Sequence, residues 1–410
     1  MKNKSVSVIA FAVLFANILS IESGSVLLAE SFYSYKNNGI WADGFLKEIS
    51  DEKIQTLFLR KKKKMPVVIL DDQSEEVSLA KYTDYLEDPK SELDIFGLLN
   101  AEQGGLKWNA SRVDKVPSFG YTDSSYWLRY LIENRGRFRQ KYFLELAYHF
   151  HNSVELHVIT SDGKDRIVKT GNSYPYHHRM IDHHNYVFPI EIPQDGKVLV
   201  LLRSKSNRSM IFPVTIWEPD HFYSKKSREL TILGFYYGML VVMILYNLFL
   251  FVSIRDKGYI IYSLYVSSWL VFQSGLNGLA FKYLWPENTF LANYSIYMAI
   301  YLNIFLLSFF SQVFLQTKKR QPVFYYLISF ILYPWSVTGF ILSILGSKII
   351  VPLGNVGSFT TALLLMATGV SSLVKGYRPA RFYVMAFSML FIGTALLALR
   401  NFGIIPSNMI

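Results

Sequence analysis

The chain has 410 residues, of which 51% are hydrophobic, 16% aromatic and only 18% charged, against about 25% charged in ordinary soluble proteins. Its formal net charge of +11 would suit nucleic acid, but beyond Glu229 the Lys and Arg residues sit in short loops between apolar runs. That is the distribution of cytoplasmic loops in a membrane protein, so the lipid bilayer is the expected partner and nucleic acid is not. The chain has no cysteine, which excludes disulfides, thiolate metal sites, a Cys nucleophile and a lipid-acylated Cys.

Met1-Lys2-Asn3-Lys4 leads into an apolar run from Val6 to Ile21, and small residues come next at Ser23, Gly24, Ser25 and Ala29. A basic start, a short apolar stretch and small residues make a secretory signal peptide, assigned to 1–29. Ser25 and Ala29 both qualify as the cleavage position, and an uncleaved anchor is the alternative. Either way, the chain beyond residue 29 is expected to emerge outside the cytoplasm. Residues 30–65, which include Arg60-Lys61-Lys62-Lys63-Lys64, read as a solvated linker.

From Pro66 to about Trp217 the hydrophobic period is two, which is the period of strands. Strands are expected over Tyr126–Ile132, Gln140–Leu146, Ser153–Thr160, Tyr186–Ile192, Lys197–Arg203 and Met210–Trp217. Polar turns such as Ser161-Asp162-Gly163 and Pro193-Gln194-Asp195-Gly196 separate them. Short strands with turns at this spacing predict an antiparallel, jelly-roll-like β-sandwich over 66–222, with strand order left open.

All eight histidines lie between His149 and His221. His149 and His151, two apart on a strand, would share a face and could hold one ion, although no carboxylate spacing supports a metal. Trp127, Tyr148 and Trp217 are rings of the kind that stack on a sugar, and Arg129, Asn134 and Arg179 would donate hydrogen bonds to it. The competing reading makes them core aromatics and rim charges, the commoner fate of such residues. No phosphate loop, nucleophile elbow or HExxH motif occurs, so neither an enzyme nor a cofactor is expected.

The second half of the chain holds six stretches without Asp, Glu, Lys, Arg or His: 230–254, 259–281, 290–315, 323–346, 349–374 and 382–399. Crossing the hydrocarbon takes roughly 20 residues, so these predict an α-helical bundle of six transmembrane helices. With the sandwich outside, Arg255, Lys257, Lys318, Lys319, Arg320, Lys375, Arg378 and Arg381 fall on the cytoplasmic side, as the positive-inside rule requires. Lys225, Lys226 and Arg228 run against it. Pro334 and Pro352 are expected to kink their spans, and Asn247, Gln273, Asn277, Asn303, Gln312 and Asn355 to bond between helices. The lack of ionisable groups in the spans weakens, without removing, the alternative of a transporter or transport-associated binding protein.

Gly234-Phe235-Tyr236-Tyr237-Gly238, Leu245 to Leu250, Arg255-Asp256-Lys257, Tyr262-Ser263-Leu264-Tyr265, Lys375 to Tyr383 and Phe402 to Asn408 occur in an order that resembles the bacterial seven-transmembrane receptors with diverse intracellular signalling modules. Leu79 to Tyr82, Tyr85 to Asp88, Tyr126 to Arg129 with Asn134, and Gly171 to Arg179 look like that family's second type of extracellular sensory domain. The resemblance implies a receptor in the bacterial inner membrane that senses a small molecule or glycan through its periplasmic sandwich and relays it through the helices. It carries over no catalytic residues. The family has seven spans followed by a cytoplasmic output module. Here the sequence stops at Ile410, so 401–410 reads as the start of a missing seventh-span region. The output module is expected to be lost by truncation, split off, or replaced by a separate cytoplasmic signalling protein, truncation being preferred.

Overall fold

The computed structural model describes residues 42–43, 65–98, 107–111, 115–137, 140–161, 165–347 and 349–401. The signal peptide, most of the linker and the segment after Asn401 lie outside the described residues. The strands are β1 (Ala42–Asp43), β2 (Val67–Leu70), β3 (Glu76–Ser78), β4 (Asp84–Asp88), β5 (Asn109–Ala110), β6 (Ser118–Tyr121) and β7 (Ser125–Asn134). They continue with β8 (Gln140–Leu146), β9 (Ser153–Thr160), β10 (Asp165–Thr170), β11 (Tyr186–Ile192), β12 (Lys197–Lys205), β13 (Ser209–Ile211) and β14 (Val214–Trp217). One sheet has the order β1-β10-β9-β12-β7-β4-β5, with β2 added in parallel to β7, and a second has the order β11-β8-β14-β3.

Alternation places the core. Tyr126, Leu128, Tyr130 and Ile132 of β7, Val198, Val200 and Leu202 of β12, and Tyr142, Leu144 and Leu146 of β8 are buried in one cluster between the two sheets. Each such side chain contributes about 1.5–3 kcal/mol, so this layer dominates the stability of the sandwich. The intervening residues, Trp127 and Arg129 on β7 and Phe143 and Glu145 on β8, face outward from their sheets.

The reading of the strands needs correction at three points. The run Met210–Trp217 is two strands, because Pro213 has no N–H for a ladder; β13 pairs with β6, whereas β14 pairs with β8 and β3. Within the supposed linker, β1 pairs with β10. The acidic strand β4, Asp84-Tyr85-Leu86-Glu87-Asp88, went unpredicted because Asp and Glu are poor strand formers, yet it runs along β7.

The helices are α1 (Pro219–Ile254), α2 (Lys257–Leu276), α3 (Leu279–Tyr283), α4 (Thr289–Phe314), α5 (Thr317–Arg320), α6 (Pro322–Leu327), α7 (Tyr333–Ile344), α8 (Ile350–Val374) and α9 (Ala380–Asn401). Among the described residues, four helices are long and apolar enough to cross a membrane: α1, α4, the continuous Pro322–Ile344 rod and α8. Helices α2 and α9 fill the second and sixth expected positions but fall outside that group. On α1, Phe235, Val242, Leu245, Phe249 and Val252 are exposed along one stripe, while Leu233, Tyr236, Leu240 and Asn247 are buried on the other. An apolar stripe without a protein partner is what a helix presents to lipid.

The expected single run 259–281 breaks at Asn277–Gly278, where Gly278 takes φ +70°, a conformation that glycine adopts without strain. Pro334 does not bend a plain α-helix; the π-turn Ile328–Leu332 precedes it and absorbs the clash with the preceding turn. Pro352 stands in the first turn of α8, where its missing N–H removes no hydrogen bond. Gln273, Asn277 and Gln312 do bond between helices, to Tyr236, Tyr237 and Tyr333. Asn247 and Asn303 instead donate to Met243 and Ala299 of their own helices.

The chain forms two compact units. The strands lie in one that runs to Lys225 and also takes in Phe281–Asn293; the other comprises Lys226–Ala280 and the chain from Tyr294.

Candidate functional site

Two parts of the β-unit concentrate polar side chains. The first is the outer face of the larger sheet. Asp84 stands opposite Arg129 in the β4–β7 register, and Arg129 donates to its Oδ2 through Nε at 3.2 Å and Nη2 at 3.1 Å. The same guanidinium lies 4.3 Å from the ring centre of Trp108. One row along, Arg203 stands opposite Trp127 and Glu155. It lies 5.5 Å from the Trp127 ring, donates to the Ser91 carbonyl at 2.8 Å and approaches Asp88 at 3.6 Å and Glu155 at 3.9 Å.

Burial alone would raise Glu155, but the hydrogen bond from His157 and the charges of His157, Lys169 and Arg203 outweigh it and hold the carboxyl below its usual range. Asp165 has less help. Among the described residues, neither of its buried carboxylate oxygens has a hydrogen-bond partner, and burial pushes its carboxyl up against the opposing pull of His157 and the Arg166 backbone. The indole N–H of Trp127 and Nδ1 of His157 are likewise buried and unpartnered.

The second part is the loop 171–185. Gly171 starts it at φ +137°, where a Cβ would run into the Asn152 carbonyl. Arg179 is buried; its Nη1 donates to the carbonyls of His183, at 3.1 Å, and His184, and its Nη2 to Asn172 Oδ1 at 3.4 Å. Its guanidinium also lies against the rings of Tyr176, Tyr186 and Phe281. Tyr176 is pushed well up by burial, partly offset by Arg179.

The sequence-predicted site residues are therefore scattered. Trp127 and Arg129 share the outer sheet face, with Trp127 fully buried. Asn134 caps the turn after β7, donating to Ile192 and Pro193 carbonyls and accepting from the Gly136 N–H at 2.8 Å. Trp217 packs with Phe143 and Phe222 on the outer face of the smaller sheet. Tyr148 meets Phe150 and His151 edge-on, and Arg179 holds the 171–185 loop.

His149 and His151 lie in a turn after β8 rather than on a strand, so the shared-face argument for an ion does not apply. Both nitrogens of buried His151 are engaged, Nε2 with the Ile211 carbonyl at 3.0 Å and Nδ1 with Ser204 Oγ at 2.8 Å. Sequence reasoning missed Asn172, Arg208, Asn293, Glu145 and Lys225. Their partners lie far along the chain, and only the Gly171–Arg179 stretch carried a signal.

Two family models match the chain in the order of these parts. One, described as 7TMR-DISM extracellular 2, covers residues 80–218; the other, 7TM diverse intracellular signalling, covers residues 229–410. The chain belongs to the 7TMR-DISM family. The β-unit is accordingly the extracellular sensory domain of a 7TMR-DISM membrane receptor, and the apolar helices belong to its membrane module. Both modules are of sensory and membrane types rather than catalytic ones. No curated protein matches the sequence.

Proposed function

We propose that this 7TMR-DISM receptor is a multi-pass protein of the bacterial inner membrane whose periplasmic sandwich binds a small polar ligand of the glycan class. Binding shifts the populations of helix arrangements, which a cytoplasmic signalling module, on this protein or a partner, reads out. The observation that carries the reading is the junction between modules. The sensory match ends at Glu218, and from Pro219 one uninterrupted helix runs to Ile254 through the start of the membrane match. A helix transmits displacement where a flexible linker would dissipate it.

The topology has support at both ends of the spans. Phe281–Asn293, between the second and third runs, belongs to the β-unit, which favours the extracytoplasmic side for that segment. The loops assigned to the cytoplasm pack together, with Arg320 4.4 Å from the Tyr377 ring, and Gln321 donates at 2.6 Å to Ser372 in the last turn of α8.

On the outer sheet face, the Trp108 ring stacks with the Arg129 guanidinium, itself held by Asp84, and an aromatic ring beside a fixed charged pair is equipment that sugar recognition uses. A glycan screen against the full chain in nanodiscs tests this. A ligand at 100 times its Kd stabilises the folded state by about 2.7 kcal/mol, so a saturable rise in unfolding temperature is expected. That rise should be lost in Arg129→Ala. A broad screen with no saturable shift would leave the sandwich without a ligand role.

A further inference from the structure

An unbroken series of polar contacts crosses the β-unit from Asn293 to Lys225. Asn293 Nδ2 donates to the Asn172 carbonyl at 3.1 Å, its Oδ1 accepts from Asn152 at 3.0 Å, and its carbonyl accepts from Arg208 at 2.5 Å. Asn172 Oδ1 accepts from Arg179, which also binds the carbonyls of His183 and His184. The Asn185 N–H donates to His183 Nδ1 at 3.1 Å, and its side chain donates to Glu145 Oε1 at 2.8 Å. Glu145 Oε2 accepts from Lys225 at 2.6 Å. Asn172, Arg179, Asn185, Glu145 and Arg208 are all buried.

The two ends of this series are the beginnings of two different helices. Lys225 is in the second turn of α1, where Phe222 is packed under the smaller sheet beside Phe143 and Trp217. Asn293 is in the first turns of α4, at the end of the Phe281–Asn293 segment. That segment is gripped further by the Tyr176 N–H on the Pro286 carbonyl at 2.8 Å and by Phe281 against the Tyr176 ring. Lys282, mostly covered, also pairs with Asp182 at 2.8 Å, whereas the exposed pair His177–Glu287 adds little, since surface ion pairs contribute about 0–1 kcal/mol.

We propose that the 171–185 loop is the transmission element of the receptor. One buried network fixes the origins of α1 and α4 together, so a displacement of the loop reaches both helices at once. This rests on the receptor reading above. The physical ground is that a buried donor or acceptor left unpaired costs more than its bond contributes when made. Such a network therefore moves between discrete arrangements rather than stretching. Gly171 fixes where the loop leaves β10, and Arg179 joins its two halves.

Hydrogen–deuterium exchange on the full chain in nanodiscs, with no ligand added, tests the coupling. Arg179→Met keeps much of the side chain's volume and removes its hydrogen bonds. Exchange is expected to rise on the order of tenfold, equivalent to about 1.4 kcal/mol, in both 219–225 and 281–293, with β7 and β12 unchanged. A rise in one segment alone, or in neither, would overturn the proposal. Should Arg179→Met loosen β7 and β12 as well, Asn293→Ala decides: faster exchange at 219–225, the far end, supports the network, and an unchanged 219–225 overturns it. A failed glycan screen alongside intact coupling would count against the ligand class and not against the network.

Discussion

Glu145 and Lys225 meet at 2.6 Å in the β-unit, where Glu145 is fully buried. The corresponding buried contact among the helices joins two neutral groups, Tyr383 and Ser311, at 2.8 Å. The contrast is general. The β-unit buries Asp84, Asp88, Glu145, Asp165, Arg179, Arg208 and several histidines. Apart from Lys226 at the head of α1, the described residues that the helical unit buries with polar side chains carry hydroxyls and amides, as where Trp269 and Gln273 both donate to Tyr236. In the β-unit a charge can be desolvated because a nearby opposite charge or fixed dipole compensates it. In hydrocarbon the cheaper solution is a neutral group that finds a neutral partner. Charge- and proton-dependent behaviour should therefore reside in the sandwich, and the helices should respond to it mechanically.

The largest expected effect breaks this contrast at the Glu145 pair. Lys225→Met keeps the aliphatic stem and strands a buried carboxylate, which should destabilise the β-unit by about 3–5 kcal/mol, read as a lower denaturant midpoint by tryptophan fluorescence. Next comes pH. Burial pushes His151 down from 6.5 to about 4, so the folded state keeps it neutral while the unfolded chain takes up a proton. Stability is complete above the ordinary histidine value and is lost as pH falls from there toward 4, by up to about 3 kcal/mol. Denaturation at pH 7 and pH 4.5 should show a smaller loss in His151→Gln than in the parent.

Asp165 has the opposite sign. Its raised carboxyl is held protonated to higher pH when folded, so its term becomes unfavourable as pH climbs above the ordinary 3.8. Asp165→Asn should stabilise the protein by about 1 kcal/mol at pH 7, with the gain shrinking toward pH 4. The smallest effect is in the helices: Tyr383→Phe should cost roughly 0.6 kcal/mol with no change between pH 5 and pH 8. A pH-dependent loss there would erase the contrast.

Much of this arrangement is legible in the sequence where one period governs a whole segment. Gln140–Leu146, Ser153–Thr160 and Tyr186–Ile192 are strands over the expected bounds, because every second residue of each, such as Tyr142, Leu144 and Leu146, enters the core between the sheets. Reading failed where a single residue overrides the pattern, as Pro213 splits one strand into two and Gly278 ends a helix inside an apolar run. The acidic strand β4 was hidden because its carboxylates look like a loop until Arg129 and Arg203 are placed beside them. The site was less legible than the fold for the same reason. Arg179 and Gly171 stood out locally, but Asn293 and Asn172 are 121 positions apart, and nothing in the sequence pairs them.

The most direct test of the account places one reporter on the segment that the sandwich holds. Because the chain has no cysteine, Glu287→Cys gives a single labelling position on an exposed side chain for an environment-sensitive fluorophore, with the protein in nanodiscs. Titration with a glycan that stabilises the sandwich should change its emission saturably, with the same midpoint as the thermal shift. A thermal shift that saturates while the emission at position 287 stays constant would contradict the claim that the sensory domain speaks to the helices through this segment.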